Sequence, residues 1–155
     1  MKLSPEEIER FRTIGLLLDR AGTFWQEGAP VTHQRLRQAL LRWLDVRDDG
    51  RDIIRLDDTR YAYVDVEDAH LRARSARWDG DRCYILWDDD VERELEYGSL
   101  RQAADHALYV TVGKLRGRIA APAYYIVAER ITSGETSTHY ALAAAGVQWP
   151  ISGAA

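Results

Sequence analysis

Residues 14–66 carry the reading that decides the fold: Ile14-Gly-Leu-Leu-Leu18, Asp19-Arg-Ala-Gly22, Thr23-Phe-Trp-Gln26, an amphipathic run from Thr32 to about Asp45, then Ile53-Ile-Arg-Leu56 and Arg60-Tyr-Ala-Tyr-Val-Asp-Val66. The first two apolar runs read as strands turned at Gly22, which tolerates the positive φ a hairpin turn demands. Gly28 and Pro30 then break the chain, and Thr32 suits the cap of a helix. In that helix Leu36, Leu40, Trp43 and Leu44 share one face, predicted to pack on a sheet, while Arg35, Gln38 and Arg42 meet water. Asp48-Asp-Gly50 ends it, and two more strands follow across Asp57-Asp-Thr59. The order is strand, strand, helix, strand, strand.

The same order returns near the other end. Ala107-Leu-Tyr-Val-Thr-Val112 and Leu115-Arg-Gly-Arg-Ile119 read as strands turned at Gly113-Lys114. Pro122 can open a helix through about Ile131, closed by Gly134. His139–Ala144 and Val147–Ile151 read as a last pair turned at Gly146. Between the two sets lies a meander of Leu71–Trp78 and Arg82–Trp87 across the strong hairpin signal Asp79-Gly80, with Val91–Tyr97 as a third strand. Upstream, Ser4-Pro5-Glu6-Glu7 is a capping box with proline at the first helical position. Leu3 and Ile8 fit the staple positions, and Phe11 on the side of Ile8 predicts a short helix lying against the body, the alternative being a detached arm.

Repetition of element order points to duplication even where residue identity is too weak to show it. The expectation is an α+β fold: two structurally repeated β-β-α-β-β motifs with curved antiparallel sheets, joined by a central β-meander. The divisions are a helix at 1–13, a first lobe at 14–68, the meander at 69–98 and a second lobe at 99–155, within one compact domain. A groove between the lobes is the natural place for a ligand. A single continuous sheet with both helices on one face satisfies the same pattern.

Composition fits an ordinary globular protein: 155 residues, 46% hydrophobic and 30% charged, enough to bury a core without a disulfide or structural metal. A net charge of -4 argues against a phosphate-gripping nucleic-acid binder. The one cysteine, Cys83, excludes an internal disulfide and a four-cysteine zinc site, and suits a reducing, cytoplasmic setting. Met1-Lys2 leads straight into the capped helix, and no apolar run approaches the ~20 residues of a membrane span, so neither export nor a membrane partner is expected.

The residues resemble a known family. Phe24-Trp-Gln-Glu-Gly-Ala-Pro-Val-Thr-His33, Arg35-Leu36, Trp43-Leu44, Asp49-Gly50 and Val64-Asp-Val-Glu-Asp-Ala69 look like the bacterial domain-of-unknown-function family 1285, DUF1285. Asp105-His-Ala-Leu-Tyr-Val110, Ala121-Pro-Ala-Tyr-Tyr125 and Gly146-Val-Gln-Trp-Pro-Ile151 follow in the same order. His70 stands where the family pattern has proline, and Ala121 where it has arginine, so no role for that arginine carries over. The resemblance implies a bacterial cytosolic α+β protein with repeated motifs and an association with signal transduction. It implies no reaction and brings no catalytic residues.

Candidate chemistry is sparse. No G-x-S-x-G elbow and no glycine-rich phosphate loop occurs, so no nucleotide cofactor is expected. Cys83 alternates with Ile85 and Trp87 on one strand face and reads as a buried hydrophobe. His33, His70, His106 and His139 lack metal-ligand spacing, so no metal is expected; His33 reads as a helix-start residue bonding locally. Glu67-Asp68 are strand neighbours pointing to opposite faces and read as turn residues, and Asp88-Asp-Asp90 reads as a solvated loop. Trp25, Trp78, Trp87 and Trp149 read as core, the alternative being an exposed aromatic interface.

The cationic pattern carries the ligand-site expectation. Arg72 and Arg74 share a face of one strand and Arg116 and Arg118 a face of another, pairs able to hold a phosphate or carboxylate. Arg118 lies just before the helix opened by Pro122, whose amides attract anions, and Tyr124 or Tyr125 can stack on the ligand. The opposing reading pairs these arginines with nearby acids. The sequence thus favours a non-enzymatic module binding a small anion or a signalling protein, with a hydrolase using Glu67 or Asp68 and His33 or His106 as the alternative.

Overall fold

The hairpin at Gly22 forms as expected. In the computed structural model, which describes residues 4–133 and 140–153, β1 (Leu16–Leu18) pairs antiparallel with β2 (Phe24–Gln26). The Asp19 carboxylate organises the turn, accepting the Thr23 N–H at 2.8 Å and the Trp25 indole N–H at 2.9 Å. Burial opposes the Asp19 charge, but these bonds outweigh it and hold the carboxyl below its ordinary pKa. Glu27 and Gly28, at φ 48° and 84°, turn the chain into β3 (Ala29–Pro30), an edge strand where proline forfeits no ladder bond.

The next helix, α1 being reserved for Pro5–Arg12, is α2 (Gln34–Arg42), shorter than the sequence suggested. His33 rather than Thr32 caps it, its Nδ1 accepting the Leu36 N–H at 3.3 Å. Leu44–Val46 has left the helix to form β4, which pairs with β5 (Asp52–Arg55), and β5 pairs with β6 (Tyr61–Val66). Shortening changes which face docks. Leu41 is buried and Arg37 donates to the Gly22 carbonyl at 2.9 Å, while Leu36 and Trp43 stay 45% and 39% exposed.

α1 has its reciprocal Ser4–Glu7 capping box but buries no residue, and Phe11 is 70% exposed. The helix is held by polar contacts instead of an apolar face. Arg12 donates to the Thr59 carbonyl at 3.2 Å and lies 3.9 Å from the Tyr61 ring, and the Tyr63 hydroxyl donates to Glu9 at 2.5 Å. Leu3 lies outside the described residues.

The first sheet runs β3-β2-β1-β6-β5-β4, with β1 parallel to β6. The second is built from β7 (Leu71–Asp79), β8 (Arg82–Trp87), β9 (Glu92–Glu94), β10 (Arg101–Gln102), β11 (Leu108–Val112) and β12 (Leu115–Ile119). Its order is β10-β11-β12-β7-β8-β9, with β7 parallel to β12. Each sheet is thus two three-stranded meanders joined by the parallel pairing of its first and last strands. The protein is α+β with a duplicated sheet, and the sheets are mixed rather than wholly antiparallel.

The chain forms two compact units that divide between His70 and Leu71. The expected break after residue 68 falls between the two sheets, and the one after residue 98 falls inside the second sheet. The meander supplies half of the second sheet, and a 3-10 turn at Tyr97–Ser99 stands where the first unit has α2. α3 (Ala123–Ala128) stops early because Ile131 and Thr132 are β-branched and pair as β13 (Ile131–Ser133) with β14 (Tyr140–Ala144). With β15 (Val147–Ile151) these make a third small sheet. Gly134 and His139 lie outside the described residues.

Leu18, Phe24 and Ile53 are fully buried in the first unit, and Leu71, Ile85, Leu108 and Ile119 in the second. Trp87 joins the second core because Gly117 faces it; a Cβ there would overlap the indole Cη2. Trp25, Trp78 and Trp149 are half-buried, each with its indole N–H bonded. No helix among the described residues is long and apolar enough to cross a membrane.

Candidate functional site

Strand pairing places the arginines of the second sheet in a row. Arg101 on β10 faces Tyr109 on β11, Tyr109 faces Arg118 on β12, and Arg118 faces Arg72 on β7. Directly paired residues share a sheet face, so three guanidinium groups and a phenol line up across four strands. Arg101 and Arg118 lie 5.1 Å and 5.5 Å from the Tyr109 ring centre. Arg116 stands one register step away, opposite Thr111 and exposed. Arg74 is not in the row: the register shifts between Ala73 and Ser75, and Arg74 is the extra residue of that bulge.

Carboxylates already attend these cations. Asp88 accepts the Arg72 N–H at 3.1 Å and its Nε–H at 2.7 Å, and both side chains are largely buried. Asp90 pairs with Arg74. Asp89 takes Arg93 through both oxygens, at 3.2 and 2.8 Å. The run Asp88-Asp-Asp90 is therefore not the solvated loop expected from three adjacent charges. Asp88 and Asp89 are 6% and 3% exposed, because arginines and turn amides supply the counter-charge and hydrogen bonds that solvent would otherwise give.

Arg118 leads to a cleft in the second unit. Its guanidinium donates to Tyr109 Oη at 2.6 Å and to Asp105 at 2.7 Å. Burial works against its charge, but these bonds outweigh the loss and raise its pKa above the ordinary value. Beside it a hollow of about 180 Å³ is bounded by Asp105, His106, Arg118, Tyr124 and Tyr125. His106 and Tyr124 also border a larger cavity of about 400 Å³, together with Gln102, Ser133 and Tyr140 over an apolar floor that includes Leu108 and Ile151.

Local structure explains the convergence. The Ala103–Ala107 turn closes through the Ala107 carbonyl and the Asp105 carboxylate, holding His106 at φ 70°. Gln102 on β10 donates to the Tyr124 hydroxyl at 3.4 Å. The Gln102 N–H donates to the Ser152 carbonyl at 2.7 Å, which ties the small sheet to β10 and carries Ser133 and Tyr140 to the cavity. Of the residues expected to hold a ligand, Arg118 and Tyr124 meet here; Arg72, Arg74 and Arg116 do not line the cleft. α3 has only six residues and no side-chain cap, so it offers no helix-dipole anion site.

Nucleophilic and acid–base chemistry finds little footing. Cys83 is buried on β8, and burial pushes its thiol up to about 12, so it is inert at neutral pH. Glu67 accepts the Arg20 N–H at 3.4 Å, Asp68 lies 3.8 Å from the Arg20 guanidinium, and His33 spends Nδ1 on the helix cap. His70, which the sequence left without a role, is fully buried with Nε2 at 2.7 Å from Asp52. Among the described residues no group of three His, Cys, Asp or Glu could hold a metal ion.

A duplicated two-sheet α+β fold with a small third sheet closing a cleft is the class these features define. It is the fold of solved DUF1285 family proteins. The structure of one from Silicibacter pomeroyi DSS-3 matches with a TM-score of 0.73 at 17% identity, covering 89% of this chain and 79% of that chain. One from Shewanella baltica OS155 matches with a TM-score of 0.59 at 15% identity, covering 72% and 87% respectively. The fold implied by the resemblance is therefore present, and both neighbours are described by family alone. No family model and no curated protein matches the sequence.

Proposed function

We propose that this chain is a bacterial, cytoplasmic recognition module, not an enzyme, that binds a small molecule with one anionic group and an apolar body in the cleft of its second unit. The observation that carries this reading is the sharing of His106 and Tyr124 between the 400 Å³ cavity and the 180 Å³ hollow that ends on Arg118. A cavity of this volume falls within the range of ligand sites, and its mixture of apolar floor and few convergent polar groups is their usual chemistry. Asp105, half exposed on its turn, is the group that a ligand carboxylate or phosphate would replace on Arg118. The hydroxyls of Tyr124, Tyr140 and Ser133 and the Gln102 amide would orient the rest. The signalling association implied by the family resemblance makes occupancy of this cleft a regulatory input.

Calorimetric titration with a panel of small carboxylates and phosphates carrying aromatic or aliphatic bodies tests the reading. Binding is expected in the wild type, weakened at least about tenfold, or about 1.4 kcal/mol, by Arg118→Ala. A smaller loss is expected for Tyr124→Phe and none for Arg116→Ala, with circular dichroism verifying the fold of each. No binding across the panel, or equal affinity in Arg118→Ala, refutes it.

A further inference from the structure

Two titratable side chains border both the 400 Å³ cavity and the 180 Å³ hollow of the second unit, Tyr124 and His106. The Tyr124 hydroxyl already accepts from Gln102. The His106 imidazole is exposed, and neither of its nitrogens has a hydrogen-bond partner among the described residues. His33 and His70, by contrast, have each committed a nitrogen, to the α2 cap and to Asp52. His106 is also held where few side chains go: its φ is 70°, fixed by Asp105 on the Ala107 N–H at 3.2 Å and by Gln102 on the His106 carbonyl at 3.4 Å. Such left-handed positions are uncommon outside glycine and gather at binding sites.

The groups around the ring decide what a charge on it would do. Its own turn brings Asp105, β12 brings Arg118, α3 brings Tyr124 and Tyr125, β10 brings Gln102, and the small sheet brings Ser133 and Tyr140. Of these only Arg118 and Asp105 carry charge at neutral pH, and they are bonded to each other at 2.7 Å. While that pair is closed the two charges offset one another. An anion that takes the place of Asp105 on Arg118 adds a negative charge to the hollow and releases the Asp105 carboxylate one residue from His106. Both changes favour the imidazolium over the neutral ring.

We propose, resting on the reading of this cleft as an anion site, that His106 is its proton switch: a carboxylate ligand binds together with a proton on the imidazole, so occupancy rises as pH falls from about 8 to about 6. The sign follows from linkage. A ligand that favours the imidazolium is itself favoured by it, by the same factor. Histidine is the side chain that changes charge in this window, while aspartate and arginine keep theirs.

Calorimetric titration of the full chain with 3-phenylpropionate and with hexanoate, near pH 6 and near pH 8 and in two buffers of different ionisation enthalpy, provides the test. These carboxylates stay ionised throughout, whereas a phosphate would titrate in the same window. The wild type is expected to bind about fivefold tighter near pH 6 and to take up protons as it binds. Asparagine tolerates a positive φ and cannot ionise, so His106→Asn keeps the turn and is expected to bind with one affinity at both pH values. Wild-type binding that is flat with pH, or a slope that survives in His106→Asn, overturns the proton link and leaves the cleft an anion site without a switch. No binding of either carboxylate at either pH overturns it too, and titration with the phosphates then shows whether the cleft reading falls with it.

Discussion

The two six-stranded sheets share one strand order and differ in what fills the junction of their parallel strands. In the first, Leu18 on β1 faces Phe24 on β2, and Leu16 faces Val64 on β6. In the second, Ala73 on β7 faces Trp87 on β8, and Leu71 faces Gly117 on β12. A larger ring is matched by smaller neighbours, so volume is redistributed while topology is kept. The elements outside the sheets also differ. One unit carries α2 beside an open apolar groove; the other carries α3 and a small sheet that build a cleft. The difference teaches that the duplicated sheets are scaffold, and that recognition resides in what each unit adds to them.

The turns that follow β2 and β8 sharpen the contrast, and there the largest effect is expected. Glu27-Gly28 turns the first unit with backbone conformation alone, whereas Asp88 carries a buried carboxylate against Arg72 in the second. Removing one partner of a buried pair strands the other charge, so Asp88→Ala is expected to cost about 3–5 kcal/mol in urea denaturation. Glu27→Ala, at an exposed turn, serves as the comparison and is expected to change the midpoint little. Similar midpoints for the two variants would break the contrast.

Gly117→Ala ranks second. The added methyl collides with the Trp87 ring, and overpacking a closed core costs about 1–3 kcal/mol. Trp87→Phe in the Gly117→Ala background should restore part of that loss, since the smaller ring resembles the Phe24 packing of the first unit. Additive losses in the double variant, read by thermal denaturation, would show that the two residues do not share one volume.

Much of this architecture could be read from residue alternation. Arg82–Trp87 alternates exposed and buried positions as a half-buried strand should, and the turn before it falls at Gly80-Asp81, one residue later than Asp79-Gly80 predicts, because Asp79 still pairs with Arg82. The parallel pairing of β7 with β12 was not legible, because periodicity tells which face a residue takes and not which distant strand it meets. β3 and β10, of two residues each, are too short to show any period. The same limit governs the cleft: Arg118 and Tyr124 stand out near a proline-led helix, but Ser133 and Tyr140 join them only through the link between β10 and Ser152. The depth of Asp88 and Asp89 is not legible in the run itself, because their counter-charges, Arg72 and Arg93, lie on separate strands.

Alkaline pH bears on both units, through Tyr63, whose hydroxyl is pushed up by burial in the first, and through two groups in the second. Burial pushes Cys83 from 9.0 up to about 12 and Tyr97 from 10.0 up to about 12, and both belong to the second unit. The folded state keeps protons that the unfolded chain releases, so stability is whole below about pH 9 and falls as pH rises toward 12. Amide protection factors in β8, taken relative to the base-catalysed intrinsic rate, should therefore fall from about pH 9, and Cys83→Ala should delay the onset to the tyrosine range near 10. An onset unchanged by that substitution would remove the thiol from the account.

The smallest effect is expected from a second arginine on the strand that carries Arg72. Arg77 on β7 meets Glu92 with two bonds, at 2.9 and 2.8 Å, a geometry as good as that of the Arg72 pair. Its side chain is 53% exposed and that of Glu92 41%, against 14% and 8% for Arg72 and Asp88. Water and salt screen the first pair and not the second, so geometry alone does not set the worth of an ion pair; desolvation does. Arg77→Ala is accordingly expected to leave the urea midpoint within scatter of the wild type, and any residual shift to vanish on adding salt. A loss comparable to that of Asp88→Ala would mean that this face of the sheet is covered in solution, and would move Arg77 and Glu92 from solvent into an interface.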